Sequence, residues 1–366
     1  MAERLGIGVI GAGNYSQSVL LPNFKGLADQ GVEIVSICNR TPESTRKVAA
    51  AFAIPHATTD YREVLARSDV DAVFIGTPPY AHRETVLAAL DAGKHVLCQT
   101  RMAESAQQAR DMHERAVRAA REQGLKTMLC RPDSFLKGDR FIRHLLASGY
   151  VGRIHQVLAT RVLPNFAAST APLQRRQNIK YFGAINPMHI GFYWDIMHPW
   201  VGDARRVLAQ AHTFTTEREE TPGGPRVKVG LPDTVTAVAE MESGAIVNQT
   251  QLWAGHFGPS RIEIYGEKGT LVYISRIYDP RGERMYDERQ QDEILGAQVG
   301  EGSLKTLPIP PEYDDEWRVE EDFVRYVRGE VPAMGPTFLD GVKNMEYLEA
   351  VYTSTVEGRW VDLPRH

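Results

Sequence analysis

Between residues 5 and 130, short apolar runs alternate with amphipathic stretches at near-regular spacing, and this alternation constrains the chain more than any other feature. LGIGVI (5–10), VEIVSIC (32–38), DAVFIGTPP (71–79), KHVLCQT (94–100) and LKTMLC (125–130) read as strands. STRKVAAAFA (44–53), YREVLAR (61–67), HRETVLAALDAG (82–93) and ESAQQARDMHERAVRAAREQG (104–124) read as helices. The last two close on Gly93 and Gly124, the residue type that caps a helix C-terminus. Strands separated by single helices pair in parallel through right-handed crossovers. A first domain over residues 1–130, of class α/β with a parallel sheet, follows.

The first turn of that unit reads Gly11-Ala12-Gly13-Asn14-Tyr15-Ser16. A Gly-x-Gly between a first strand and its helix is the phosphate-binding turn of a Rossmann domain. Gly11 permits the tight turn, and Gly13 lets the backbone approach a pyrophosphate seated on the helix N-terminus. Ser16 stands where a third glycine is usual and is small enough to pack closely. The end of the second strand distinguishes the cofactors, because an acidic residue there binds the adenine ribose hydroxyls of NAD. This chain has Asn39-Arg40-Thr41. Asn39 brings no charge to repel a 2′-phosphate, and Arg40 suits bidentate pairing with one. The expected cofactor is NADP(H), with NAD(H) as the alternative. The plain reading, a glycine-rich turn and a solvated arginine, stands beside it.

After residue 130 the pattern changes. DSFLKGDRFIRHLLASG (133–149) is an amphipathic helix and RIHQVLATRVL (153–163) a strand. NPMHIGFYWDIMH (186–198) reads as a helix stopping before Pro199. RRVLAQAHTF, TVTAVAEM, AIVNQTQLW and SRIEIYGEKGTLVYI follow as strands, several with period-2 alternation. EWRVEEDFVRYVRG (316–329) and FLDGVKNMEYLEAVYTSTVEG (338–358) are closing helices. Residues 131–366 are thus expected to form an α+β second domain on a large open-faced, mostly antiparallel sheet.

A length of 366 residues suits two cores better than one. The net charge of -4 argues against a nucleic-acid binder. Cys38, Cys98 and Cys130 are odd in number and widely spaced, which fits buried thiols in a reducing, cytoplasmic setting rather than disulfides or a zinc site. No metal is expected, and no apolar run is long enough to span a membrane.

On the GAGN turn, DAVFIGTPPYAHRETVLAALDAGKHVLC (71–98), IEIYGEKGTLVY (262–273) and VEGRWVDLP (356–364), the chain resembles the family of glucose–fructose oxidoreductase, inositol dehydrogenase and MocA over essentially its whole length. The resemblance implies a Rossmann domain, an open-faced mixed sheet, NAD(P) and a sugar, cyclitol or related polyol substrate. It also implies homodimers or homotetramers formed through the C-terminal sheet. The expected cofactor-binding set is Gly11, Ala12, Gly13, Asn14, Tyr15, Asn39, Arg40, Thr77, Pro78, His82 and Gln99. His82, at the start of its helix, is read as a positioning residue.

The catalytic positions depart from the family pattern. After GKHVLC the family has Glu-Lys-Pro, whose lysine is a main catalytic or substrate-binding group. This chain has Gln99-Thr100-Arg101. Thr100 supplies no ammonium, while Arg101 restores a positive charge one residue later but is a poor general acid. The family's Asp-x-x-x-His helix, counted back from Trp200-Val201-Gly202, falls on Met188 and Phe192. His189, Tyr193, Asp195 and His198 are the polar groups nearby. At about 100° per residue, His189 and Asp195 flank Phe192, whereas His198 points elsewhere. His189 is the candidate acid/base, with Arg101, Tyr193 and Asp195 beside it. A satisfied buried histidine and a structural aspartate are the plain alternatives. The irregular stretch Pro164–Phe182, with Arg161 just ahead of it, carries Asn165, Arg175, Arg176, Asn178, Lys180 and Tyr181. It is either part of the substrate pocket or a solvated loop.

Three functions fit these residues. The first is an NAD(P)-dependent oxidoreductase acting on a polar hydroxylated molecule, with non-standard acid/base residues. The second is a lyase or epimerase that retains its cofactor and works by transient oxidation. The third is a nucleotide-binding regulator without catalysis. Arg101→Ala and His189→Ala separate the first two from the third.

Overall fold

The computed structural model describes residues 4–131, 136–174, 177–179, 190–256, 258, 260–275, 292–314, 318–332 and 335–364. It divides into two compact units, 1–132 with 317–345, and 133–316 with 346–366.

The first unit is a six-stranded sheet in the order β3-β2-β1-β4-β5-β6. The strands are β1 Leu5–Ile10, β2 Val32–Cys38, β3 His56–Thr58, β4 Ala72–Ile75, β5 His95–Gln99 and β6 Thr127–Cys130. Neighbours pair in parallel, in the strand order of a dinucleotide-binding sheet. The five strands read from the sequence are present. β3 is three residues long and carries no apolar alternation, which is why the pattern does not show it. β1 and β4 are buried throughout, as strands covered on both faces must be.

Helix starts follow local chemistry. Thr41 caps α2 (Pro42–Phe52) by accepting from the Ser44 nitrogen, and Ser105 caps α5 (Ala106–Gln123) by accepting from the Gln108 nitrogen. Gly124 ends α5 at φ 70°. The helix after β1 departs from expectation: Ser16–Leu20 form a π-helical turn before α1 (Leu21–Gly26). The core gathers Ile7, Val9, Phe24, Phe74, Leu97 and Met128, and it is joined by Phe323 and Val324 from the helix Val319–Val327. The sequence reading placed that helix in the second domain, whereas its apolar side closes the first core. The segment 317–345 therefore belongs with the first unit.

The second unit carries a nine-stranded sheet in the order β16-β15-β14-β13-β7-β12-β11-β8-β17. Its strands are β7 Ile154–Val162, β8 Ala204–His212, β11 Thr234–Met241, β12 Ile246–Leu252, β13 Ser260–Gly266, β14 Gly269–Ile274, β15 Glu293–Gln298, β16 Lys305–Thr306 and β17 Val361–Asp362. A separate hairpin pairs β9 (Glu217–Glu219) with β10 (Arg226–Lys228). β7 and β12 run parallel and the other pairings in the large sheet are antiparallel. The period-2 alternation appears directly as alternating burial along β11 and β12.

The helix Ile190–Val201 runs through Pro199 instead of stopping before it. Only two residues remain beyond that point, so the missing proline N–H removes a single bond near an end. Its N-terminal end is held by the sheet: Gln249 Nε2 donates to the Ile190 oxygen at 2.6 Å. The Trp194 ring stacks on Tyr347 with centroids 3.8 Å apart.

Candidate active site

The glycine turn sits at the carboxyl end of β1. Gly11 has φ 88°, and a Cβ there would lie 2.7 Å from the Thr77 nitrogen. Glycine is thus required by both backbone sign and space. Gly13 differs: a Cβ would meet no protein atom within 4 Å. The open side of Gly13 adjoins the helix start, where the Gln17 nitrogen already donates to the Gly13 oxygen at 3.0 Å. Open backbone at a helix start is the kind of place an anionic phosphate group takes. Thr77 Oγ1, buried beside Gly11, has no hydrogen-bond partner among the described residues. Gly13 and Asn14 are exposed, Tyr15 is half-buried, and Pro78 precedes α4 (Pro79–Asp91) in extended backbone.

Asn39 is buried and its side chain is already engaged. Oδ1 accepts from the Ala12 nitrogen at 2.7 Å, and Nδ2 donates to Ser44 Oγ at 3.1 Å. It thus ties the end of β2 to the glycine turn, a role its sequence position did not announce. Arg40 is exposed and makes no hydrogen bond or ion pair among the described residues.

His82 joins the turn to the position of the family lysine. Its Nε2 lies 2.6 Å from the Thr77 oxygen, and its Nδ1 lies 3.1 Å from both the Arg101 and Met102 oxygens. Burial lowers its pKa below the ordinary histidine value, and the three carbonyls partly offset this. Gln99 ends β5. The Thr100 nitrogen donates to the Cys130 oxygen at 2.9 Å, while Thr100 Oγ1 is buried with no partner among the described residues. Arg101 is itself buried.

In the second unit, Phe192, Tyr193 and Asp195 are all buried on the helix Ile190–Val201. His198 Nε2 is 2.5 Å from Asp203 Oδ1, so it is engaged with a neighbouring loop. His189 and Met188 lie outside the described residues, as do Arg175, Arg176, Lys180 and Tyr181. The preceding segment is well anchored. The guanidinium of Arg218 on β9, fully buried, donates to the Ala168 oxygen at 2.5 Å, the Ala171 oxygen at 3.0 Å and the Phe166 oxygen at 2.7 Å. Arg161 is buried on β7 with its guanidinium 5.6 Å from the Tyr193 ring centroid and 5.8 Å from that of Trp253. Arg218, Trp253 and the β12 glutamines carried no local sequence signal.

Among the described residues no three His, Cys, Asp or Glu side chains are grouped to hold a metal ion. Cys38, Cys98 and Cys130 are buried and unlinked, and burial pushes the Cys38 thiol up to about 11.

A parallel sheet in this order, a glycine turn with one open face, and a large mixed sheet on a second unit define a dinucleotide-binding, two-unit oxidoreductase architecture. Residues 5–128 match the family model described as "Oxidoreductase family, NAD-binding Rossmann fold", and residues 140–272 match the GFO/IDH/MocA C-terminal domain. The chain belongs to the GFO/IDH/MocA oxidoreductase family. It is 23% identical to levoglucosan dehydrogenase of Pseudarthrobacter phenanthrenivorans, an alignment covering 99% of each chain. It is 36% identical to 4-carboxy-2-hydroxymuconate-6-semialdehyde dehydrogenase of Sphingobium sp., over 39% of this chain and 43% of that one. Among solved structures, levoglucosan dehydrogenase in complex with NADH and L-sorbose superposes with a TM-score of 0.82 at 21% identity, covering 100% of both chains.

Proposed function

We propose that this chain is an NADP(H)-preferring oxidoreductase acting on a polar hydroxylated small molecule, a sugar, cyclitol or related acid. The observation that carries the reading is the pairing of an uncharged Asn39, spent on the Ala12 amide, with an unengaged Arg40 beside it. Residues 39–41 at the end of β2 carry no carboxylate for the ribose, and a guanidinium is available for a 2′-phosphate. When bound, the nicotinamide nucleotide supplies hydride transfer at a carbinol or carbonyl carbon. The residues of the turn hold it: Gly13 leaves room for the pyrophosphate, Thr77 Oγ1 offers an unmet hydroxyl, and His82 fixes the loop that carries Thr77. The sugar substrate of the full-length relative supports the substrate class.

Proton movement is assigned to His189, with Tyr193 as its companion in the proton step and Asp195 as a structural residue of the helix, because Thr100 lacks an ionisable group at the usual lysine position. Arg101 contributes charge rather than a transferable proton. Pairing of two or four copies through the second unit's sheet is part of the same reading. It is supported by a groove of about 440 Å³ on β13–β15, rimmed by Tyr265, Leu304 and Glu263. Light scattering on Tyr265→Asp tests it, a loss of mass being expected. Three buried, unlinked thiols support a cytoplasmic setting. No described helix is long and apolar enough to cross a membrane.

The test is nicotinamide absorbance with a panel of polyols, keto-sugars and hydroxy acids. Expected are turnover, a preference of about tenfold or more for NADP(H), and loss of turnover without loss of nucleotide binding in His189→Gln. Bound nucleotide with no turnover across the panel would sink the reading.

A further inference from the structure

Two glutamines stand two residues apart on β12, on the face that meets the helix Ile190–Val201. Gln249 is engaged at both ends: Nε2 donates to the Ile190 oxygen at 2.6 Å, and Oε1 accepts from the Tyr347 hydroxyl at 3.2 Å. Gln251 is the opposite case. It is 1% exposed, and neither its amide nitrogen nor its amide oxygen has a partner among the described residues. A buried amide with both ends unmet bears its full desolvation cost, and replacing it with an apolar group of the same shape is stabilising. Such a group in a well-packed sheet calls for a bonding partner that arrives from outside the chain.

The neighbours indicate which partner. Arg161 stands opposite Gln251 in the parallel β7–β12 register. Trp253 follows two residues later on the same face, with the Phe166 ring stacked 5.5 Å from it. Tyr193 and Trp253 both lie within 6 Å of the Arg161 guanidinium. An indole face receives the C–H side of a saturated ring, and a primary amide both donates to and accepts from hydroxyls.

We infer that Gln251 is a specificity-determining residue, its amide binding hydroxyls of a polyhydroxylated ring substrate laid against Trp253. This inference rests on the oxidoreductase reading for its reaction but not for its ligand.

The test compares the full-length wild type with Gln251→Met, and with Gln251→Leu should the first fold poorly. Thermal shift is recorded with levoglucosan, L-sorbose and myo-inositol, without nucleotide. The KM for whichever of them is turned over is measured with nucleotide. Expected are a Tm raised by about a few degrees without ligand, loss of the polyol-induced shift, KM raised about tenfold or more, and an unchanged nucleotide Kd. A lowered ligand-free Tm would show that the amide has a structural partner and overturn the proposal. So would an unchanged KM. A wild type that binds nucleotide yet neither responds to nor turns over any of the three polyols overturns the ligand class while leaving the oxidoreductase reading intact. A wild type stabilised by a polyol through Gln251 but unable to bind nucleotide supports Gln251 and removes the oxidoreductase reading.

Discussion

The Asn39 side-chain oxygen and the Ala12 backbone nitrogen are 2.7 Å apart, a hydrogen bond that couples the end of β2 to the glycine turn. One residue therefore supports the loop and, on the proposed NADP(H) reading, leaves the end of β2 without a carboxylate for the ribose. The two roles separate by substitution. Asn39→Asp keeps an acceptor for Ala12 but adds a negative charge, so its NADPH Kd should rise about tenfold relative to NADH, read by fluorescence titration. Asn39→Leu strands the Ala12 amide and should cost about 1–3 kcal/mol of stability in urea unfolding.

The two glycines of the turn should fail differently. Gly11→Ala forces a Cβ to 2.7 Å from Thr77 at φ 88°, and a stability loss on the order of 2 kcal/mol is expected. Gly13→Ala meets no protein atom, so Tm should hold while nucleotide affinity falls about tenfold. Equal loss of Tm in both variants would contradict the assignment of Gly13 to the pyrophosphate.

His95 gives a signed pH dependence. Its Nδ1 accepts from the Lys126 nitrogen at 2.9 Å. Burial first, and then the Lys126 charge, hold its pKa below the ordinary 6.5. The unfolded chain therefore takes a proton that the folded one refuses. Stability is unaffected above that value and falls as pH drops below it toward the folded pKa. Urea midpoints measured from about pH 7.5 to pH 5.5 should decline on the acid side. The decline should be shallower in His95→Gln, with the slope due to His82 remaining.

Arg218 releases three carbonyl oxygens if removed. Charge-assisted bonds of this kind are the strong class, and Arg218→Met should destabilise by about 3 kcal/mol. Proteolysis within the segment it holds, residues 166–171, should accelerate. A variant as protease-resistant as wild type would show that Leu173, bonded to the Glu219 oxygen, anchors the loop unaided.

How much of this was legible beforehand depended on the range of the interaction. The parallel unit, its helix caps and the Gly11–Gly13 turn declare themselves because each depends on residues close in sequence. β3 is too short for a periodic signal, and the π turn at Ser16–Leu20 has no compositional marker. Pro199 does not mark the helix end, because the proline forfeits one bond to the preceding turn and the helix runs only two residues further. Arg218 and Trp253 act through partners many residues distant, and the Gln251 amide has none among the described residues. His189, prominent in sequence, lies outside the described residues. The family resemblance located the departures at Thr100 and Arg101, yet the buried, unmet hydroxyl of Thr100 became visible only in three dimensions.

Phe323 and Val324 fill the core of a sheet whose last strand ends at Cys130. During synthesis the six strands are all made well before those two side chains exist. The nascent first unit must wait, with an apolar gap, while residues 131–322 are added. A chain cut after β16 would carry every nucleotide-turn residue and still lack the plug that completes their scaffold.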